Sequence, residues 1–526
     1  MIEHAQDVVI IGAGAAGLLA AVAAKRMGYS VLVLESSALV GGDTALATGQ
    51  LWLPATHLGA AAGVIDSEPE ALAYLNQILG EETTASTAAR RQAFVNVAPK
   101  LANWLANSNL PLVVCHGVPD YHPASVGGLP EGRVIATTPS DRRNLGEWAA
   151  RMRSKNPVAE AGQLTSFMWQ LTNSEGQAAT GGEALVAELL RRATANGVEI
   201  WLEAEILGFD ADASGVYGVK VACDGEEIEV KARTGVLLSA GGFAGNQELR
   251  QEFLPLPTDA QWSLMSQNTG KLLKLAANAT GADFAAMSDA WWTPVTLIGG
   301  RAWSLDVARK APHSIIVDQA GDRFFDEAAP PSQIVKHLYS HSRGVKTVPS
   351  FMIMDNRHHK SVSIGPWNAS TLPGEISEPG EIIRANTLND LAVALGIDRA
   401  GLIGTIVRFN GFAHKGEDTD FHRGESVWDR YALSSSKKPT SLGKIDKKPF
   451  WAVKVYPGDE GTKGGLRVDE HSQVLRPDGT AIPGFYACGG AAASIMKGTS
   501  PGPGAALSEA LIQAFVAVIS MDGKAE

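Results

Sequence analysis

Three glycines and one acid near the start of the chain define its first chemistry. The run Asp7-Val-Val-Ile-Ile-Gly12-Ala-Gly14-Ala-Ala-Gly17 is followed by Val31-Leu-Val-Leu-Glu35. Backbone that binds phosphate must bring N–H donors close with no side chain in the way. Gly12 permits a tight turn, Gly14 lets the main chain approach a pyrophosphate, and Gly17 lets the next helix pack on the preceding strand. The N–H groups of Ala15, Ala16 and Gly17 then lie at the positive end of that helix, where an anion is favoured. Glu35 lies 18 residues past Gly17, where a carboxylate accepts hydrogen bonds from ribose hydroxyls, with Ser36 beside it. In a strand–turn–helix–strand context the pattern predicts a bound dinucleotide.

FAD is the expected dinucleotide. A second glycine pair, Gly41-Gly42-Asp43-Thr44, follows the acidic strand, with Gly49 just beyond. Later strands end in Ala240-Gly241-Gly242 and Gly489-Gly490, and Gly504, Ala505 and Leu507 open the last helix. Nicotinamide enzymes of this fold need neither the second pair nor the late glycine segment. No histidine sits in an evident flavin-attachment motif, so non-covalent binding is expected. The competing reading of the uncharged stretch Val8 to Ala24 is a membrane span. Its three glycines, its length of 17 residues and the acidic second strand argue against that.

These residues require an α/β scaffold. The reading is a Rossmann-like FAD-binding domain, discontinuous in sequence, with an inserted α+β catalytic cap. Its first part spans 1–290, the cap 291–449 and its second part 450–526. Within it, an amphipathic helix follows Gly181, a strand follows at Val198–Leu202, and short alternating strands from Val216 and Glu227 suggest an antiparallel meander. Gly235–Phe243 reads as a buried parallel strand entering a glycine turn. The middle reads as polar and loop-rich, with one clear helix near Ala400 to Asn410, and Ala505–Ser520 as an apolar closing helix. A chain of 526 residues with 45% hydrophobic content supports two domains. The net charge of −11 provides no basic footprint for nucleic acid. The three cysteines form no C-x-x-C or metal pattern, and no metal is expected. No signal-peptide pattern precedes the first strand, so a cytoplasmic protein without a transmembrane segment is expected.

Several longer motifs carry a resemblance. Asp120-Tyr121-His122-Pro123, Asp289-Ala290-Trp291-Trp292, Phe421-His422-Arg423-Gly424-Glu425, Gly461-Thr462-Lys463-Gly464-Gly465 and Ser500-Pro501-Gly502-Pro503-Gly504 are similar to patterns of flavin-dependent 3-ketosteroid Δ1-dehydrogenases. These enzymes fall within the wider fumarate reductase-like flavoproteins. The resemblance runs nearly end to end. It implies FAD, a catalytic cap and insertion of a C=C bond beside a ketone, with Tyr121 retained from the family's site.

Two departures touch the reacting groups. The family has a tyrosine before Pro-Gly-x-Gly that holds the substrate carbonyl; here that residue is Ser500. The family's base is a tyrosine after Asn-Glu-x-x-Pro; here Asp326-Glu327-Ala-Ala-Pro330 leads into Pro331. The family's Asn-Thr-Gly-Asp also becomes Asn268-Thr269-Gly270-Lys271. The departures point to a cyclic ketone other than a typical 3-ketosteroid.

Desaturation removes a proton from Cα and a hydride from Cβ, and the negative charge must rest on the carbonyl oxygen. The Gly504 N–H and the Ser500 hydroxyl are candidates to hold it, although Ser500 also suits a plain turn. For the base the candidates are Tyr121, Tyr456 and His122, residue types that are more often packing or surface residues than bases. An unperturbed phenol, with a pKa of about 10, needs help near neutrality. Trp291 and Trp292 read either as walls of an apolar pocket or as ordinary core. No second Gly-x-Gly-x-x-Gly follows a later strand, so electrons must reach an external acceptor such as oxygen, a quinone or a dye-like carrier. Two other readings stay open: a reductase running hydride onto an activated C=C, and a flavin-binding protein that has lost turnover.

Overall fold

A computed structural model describes residues 2–154, 178–265, 267–342, 344–431 and 440–523. The opening run folds as strand β1 (Ile2–Ile11), helix α1 (Ala15–Arg26) and strand β2 (Val31–Leu34). Strand alternation sends Val8 and Ile10 to one side of the sheet and Val9 and Ile11 to the other, and all four are buried. A strand buried on both faces belongs inside a parallel sheet. β1 pairs in parallel with β2 and with the Glu226–Leu238 strand. The Ala481–Ala487 strand extends the parallel set beyond Glu226–Leu238, and Glu199–Trp201 extends it beyond β2. The expected meander is present: Glu205–Asp212, Gly215–Cys223 and Glu226–Leu238 pair antiparallel in sequence order. The apolar stretch from Val8 is thus strand, turn and helix. Among the described residues no helix is long and apolar enough to cross a membrane.

One face of this sheet is covered by α1, the Gly182–Ala195 helix and the closing Ala505–Met521 helix. On the other face, Val9, Ile11, Leu32 and Leu34 share a buried cluster with Trp292, Met352 and Val453 of a second sheet. That sheet is antiparallel, in the order Arg301–Ser304, Ala290–Ile298, Phe450–Thr462, Ser350–Met354, Ser314–Val317, with Ile382–Ala385 also pairing Phe450–Thr462.

Phe450–Thr462 is the central strand of the second sheet, pairing with three others, and the chain returns to the first sheet only beyond it. The middle segment is also richer in elements than one helix, holding Pro331–His341 and Leu388–Leu395 besides Arg399–Lys415.

Residues 50–137 form a support beneath the site. Gln50–Trp52, Val134–Thr137 and Leu112–Val114 make a small antiparallel sheet backed by the helices Glu68–Leu79 and Ala88–Asn107. From it, Tyr74 Oη donates to Pro501 O (2.7 Å) and the Tyr121 N–H donates to the same carbonyl (2.9 Å).

Candidate active site

The nucleotide end is built from backbone. Gly12 takes φ +107°, and a Cβ there would lie 2.6 Å from Ser239 O; a Cβ on Gly17 would lie 2.0 Å from Gly12 O. Both contacts are with main chain, so only glycine allows α1 to start this close to the sheet. Above Gly14 the space is open, with only Thr44 Oγ1 at 3.9 Å from an added Cβ. Gly14 bridges to Gly41, which lays the second glycine pair beside the first. Glu35 holds the turn: Oε2 accepts from Ala13 N and Oε1 from Ser37 N, each at 2.9 Å. Ser36 lies within that turn. Asp43 accepts from Asn268 Nδ2, and burial raises its carboxyl above the ordinary range. Ala240, Gly241 and Gly242 follow the Glu226–Leu238 strand, and Gly242 packs against Gly490 and Thr462. Gly489 N donates to Gln513 Oε1 at 2.9 Å.

A cavity of about 310 Å³ lies at the other end. Gly49 enters it from the first βαβ side, and Gly504, Ala505 and Leu507 enter it from the start of the closing helix. Its remaining wall comes from the second sheet and its loops, including Trp291, Trp292, Pro331 and Trp428. Ser500 lies on this wall, 8% exposed, with its hydroxyl donating to Gly502 O at 3.3 Å. Gly504 caps the Ala505–Met521 helix at φ +87°, and its N–H has no hydrogen-bond partner among the described residues. Pro331 is the first residue of its helix, where a missing N–H costs nothing.

The expected base candidates separate. Tyr121 lines the cavity edge-on to Trp428, with ring centroids 4.5 Å apart. Burial, with Asp306 and Glu460 nearby, raises its phenol well above the ordinary value. His122 Nε2 lies 3.3 Å from Thr499 Oγ1, and burial lowers its pKa. Tyr456 stacks on Trp262 at 4.9 Å and is absent from the cavity wall. Tyr456 lies in the same Phe450–Thr462 strand as Gly461, five residues before it, and its ring packs away from the cavity.

Sequence reading passed over five charged groups on this wall, of which Arg301 is exposed and stands over Trp303. Lys310 is 1% exposed, with Nζ over the Trp428 ring, and burial pushes it down to about 7. Asp306 pairs with Arg309. Lys463 Nζ donates to Lys497 O (2.5 Å) and Thr499 O (2.6 Å), fixing the loop before Ser500; burial pushes it down to about 8. Glu460 presents its side chain to the cavity. Only Lys463 had a signal, its place in the Gly461–Gly465 motif.

An open backbone cradle that starts a helix, an acid on its turn and a glycine-lined path to a tryptophan-walled cavity with charged groups fit a flavin dinucleotide, which defines a flavoprotein oxidoreductase. The chain matches the family model for an FAD binding domain over residues 7–507. It is 33% identical to a 3-oxosteroid 1-dehydrogenase of Mycobacterium tuberculosis, covering 99% of this chain and 98% of that protein. It is 30% identical to a 4-oxocyclohexanecarboxylate 2-dehydrogenase of Sinomonas cyclohexanicum, covering 99% and 93%. A crystal structure of 3-ketosteroid Δ1-dehydrogenase from Sterolibacterium denitrificans, in complex with 1,4-androstadiene-3,17-dione, matches with a TM-score of 0.91 at 30% identity over 99% of this chain and 100% of that one. The chain belongs to this family of FAD-dependent oxidoreductases acting on CH–CH groups beside a ketone.

The Glu35 contacts make a prediction. Glu35→Gln replaces one charged acceptor of the turn by an amide, a loss of about 1.5–3 kcal/mol or roughly 10- to 100-fold in FAD affinity. Flavin occupancy after long dialysis should fall below wild type; undiminished occupancy would remove the role assigned to this side chain.

Proposed function

We propose that the enzyme introduces a C=C bond α,β to the carbonyl of a cyclic ketone smaller than a steroid, and passes the electrons to an external acceptor such as oxygen, a quinone or a dye-like carrier. The carrying observation is that Pro331 and Ser500, the positions where the steroid enzymes have tyrosines, both line the one cavity that also meets Gly504. The pattern at the reacting groups has changed while the surrounding motifs remain. The volume supports a small ring: about 310 Å³ stands at the low end for small-molecule sites, and the flavin-facing residues Gly49 and Gly504–Leu507 share it. The relative that acts on 4-oxocyclohexanecarboxylate makes a single ring a natural probe.

FAD, bound along the glycine cradle, supplies the two-electron acceptor for the hydrogen at Cβ. The chain's own part begins at the carbonyl. The free Gly504 N–H and the Ser500 hydroxyl supply donors for the oxygen, where charge develops as Cα loses its proton. The tryptophans at 291, 292 and 428 exclude water and so strengthen those hydrogen bonds. Lys463 positions the Ser500 loop through the two carbonyls it holds.

Anaerobic titration of the oxidised enzyme tests the reading. 4-Oxocyclohexanecarboxylate and cyclohexanone should bleach the flavin band faster than a 3-ketosteroid; faster bleaching by the steroid would overturn it. Ser500→Ala should slow bleaching less than the roughly 10²- to 10³-fold typical of a lost oxyanion donor, because the backbone N–H remains. FAD content should be unchanged. A silent Ser500→Ala variant would move the carbonyl away from this loop.

A further inference from the structure

Desaturation still needs an acceptor for the Cα proton, and the tyrosines and histidine at 121, 456 and 122 are poorly placed or poorly matched for it. The Phe450–Thr462 strand offers another group. It pairs with Ala290–Ile298 in register at Trp292↔Asp459, but the next pair is Ala290↔Thr462. Glu460 and Gly461 together therefore oppose Trp291. A bulge of this kind re-aims a side chain where pairing ends, and it recurs beside active sites. Gly461 supplies the positive φ, +119°.

Both flanks of the bulge are anchored. Asp459 is fully buried and accepts from Arg250 Nη1 (2.7 Å), Ser263 Oγ (2.7 Å) and Gly461 N (3.0 Å). Thr462 Oγ1 accepts from Phe243 N at 3.1 Å. Between these anchors Glu460 lines the same cavity as Tyr121, Ser500 and Gly504. Its carboxylate makes no hydrogen bond or ion pair among the described residues. Glu460 is exposed to this cavity while its neighbours Asp459 and Gly461 are buried, so the bulge turns an unpartnered carboxylate toward whatever the cavity binds.

We propose that Glu460 is the catalytic base, its carboxylate taking the Cα proton of the bound ketone. The inference rests on the desaturation reading above. In this step the Cα–H bond breaks and the proton goes to a Glu460 Oε. The electron pair moves to the carbonyl oxygen as an enolate, held by Gly504 and Ser500. The charges around Glu460 favour the transfer. Desolvation by the surrounding cavity walls, then Asp306 and Asp459, pushes its carboxyl up to about 7 although its surface opens to the cavity, so it is ionised above neutrality and its proton affinity suits the task. Arg309 occupies Asp306. Lys310 is nearly without surface against Trp428, and the Lys463 amine is taken by carbonyls. The Tyr121 phenol stays protonated.

Proton transfer can be read without hydride transfer. With the holoenzyme held chemically reduced in D2O, exchange of the α protons of 4-oxocyclohexanecarboxylate is followed by NMR. Wild type should exchange them, at a rate rising with pH through about 7. Glu460→Gln should lose at least about 10²-fold, Glu460→Asp should keep part of the rate and the pH limb, and Tyr121→Phe and Lys310→Met should stay within about tenfold. Infrared difference spectra of the ketone-free holoenzyme should show a carboxyl titrating near neutrality that Glu460→Gln removes. Wild-type exchange in Glu460→Gln, exchange lost only in Tyr121→Phe or Lys310→Met, or no such carboxyl would overturn the assignment. If the same ketone still bleaches oxidised wild-type flavin, desaturation survives that failure; absence of both bleaching and exchange overturns both.

Discussion

Gly504→Ala should yield an enzyme at least about 10²-fold slower, with FAD binding weakened as well. Gly504 sits at φ +87°, and an added Cβ would lie 2.4 Å from both the carbonyl carbon and the oxygen of Gln50. The clash is with main chain, and Gln50 begins the strand that supports the site floor, so neither partner can step aside cheaply. The backbone must shift, and the donor proposed for the substrate carbonyl shifts with it; a displacement of about 1 Å is enough for a loss of this size. The strained φ adds about 1–3 kcal/mol. Gly404→Ala is the control. That glycine is inside the Arg399–Lys415 helix with nothing within 4 Å of an added Cβ, so alanine there should leave rate and flavin unchanged. Stopped-flow flavin reduction and flavin-to-protein absorbance ratios check both variants. A normal rate in Gly504→Ala would show that this turn does not position the substrate.

Glu327→Gln should destabilise the protein by about 3–5 kcal/mol, the typical result of breaking a buried ion pair from one side. Glu327 is fully buried and accepts from Arg323 Nε and Nη2 at 2.7 Å, from Arg423 Nη1 at 3.2 Å and from Ile316 N at 3.2 Å. Arg323 is shared with Asp418 at 2.8 Å. Arg423 also donates to Ser314 O and Ala311 O. An amide leaves the buried Arg423 without its carboxylate partner and Arg323 with Asp418 alone. Burial alone would raise the Glu327 carboxyl, but Arg323 and Arg423 hold it below its ordinary value. Its contribution is therefore present at neutral pH and is lost as pH falls through the folded-state pKa. Urea denaturation at pH 7 should show the full loss, and the gap between variant and wild type should narrow in acid. Equal midpoints at pH 7 would show the network to be dispensable.

How much of this was legible in the sequence follows from the range of the interactions. The Gly12–Glu35 unit was legible because turn, helix start and strand are all specified within about thirty residues, and the same holds for the closing helix. The cap was less legible. Ser314–Val317 and Ser350–Met354 are short apolar runs whose strand character comes from pairing with each other and with Phe450–Thr462. Pro457-Gly458-Asp459-Glu460-Gly461 reads locally as a turn, yet pairing with Ala290–Ile298 draws it into a 13-residue strand. Glu460 was missed for that reason: its significance depends on a bulge that exists only once two segments more than 150 residues apart have met. The motifs around Glu327 and Arg423 were visible as resemblance, but their physical content, a buried charge network, needed the fold. Pro331 and Ser500 were legible as departures from a family pattern, and the cavity unites them.

The loop from Lys497 to Gly504 takes its shape from outside itself. Lys463 holds the carbonyls of Lys497 and Thr499, while Tyr74 and the Tyr121 N–H hold that of Pro501. None of these contacts involves the side chain at 500. Pro331 likewise opens a helix from a position whose N–H is not needed. The frame and its lining can therefore change independently: new side chains at 331 and 500 meet a constant backbone. A small library at those two positions explores substrate range without first repairing a fold.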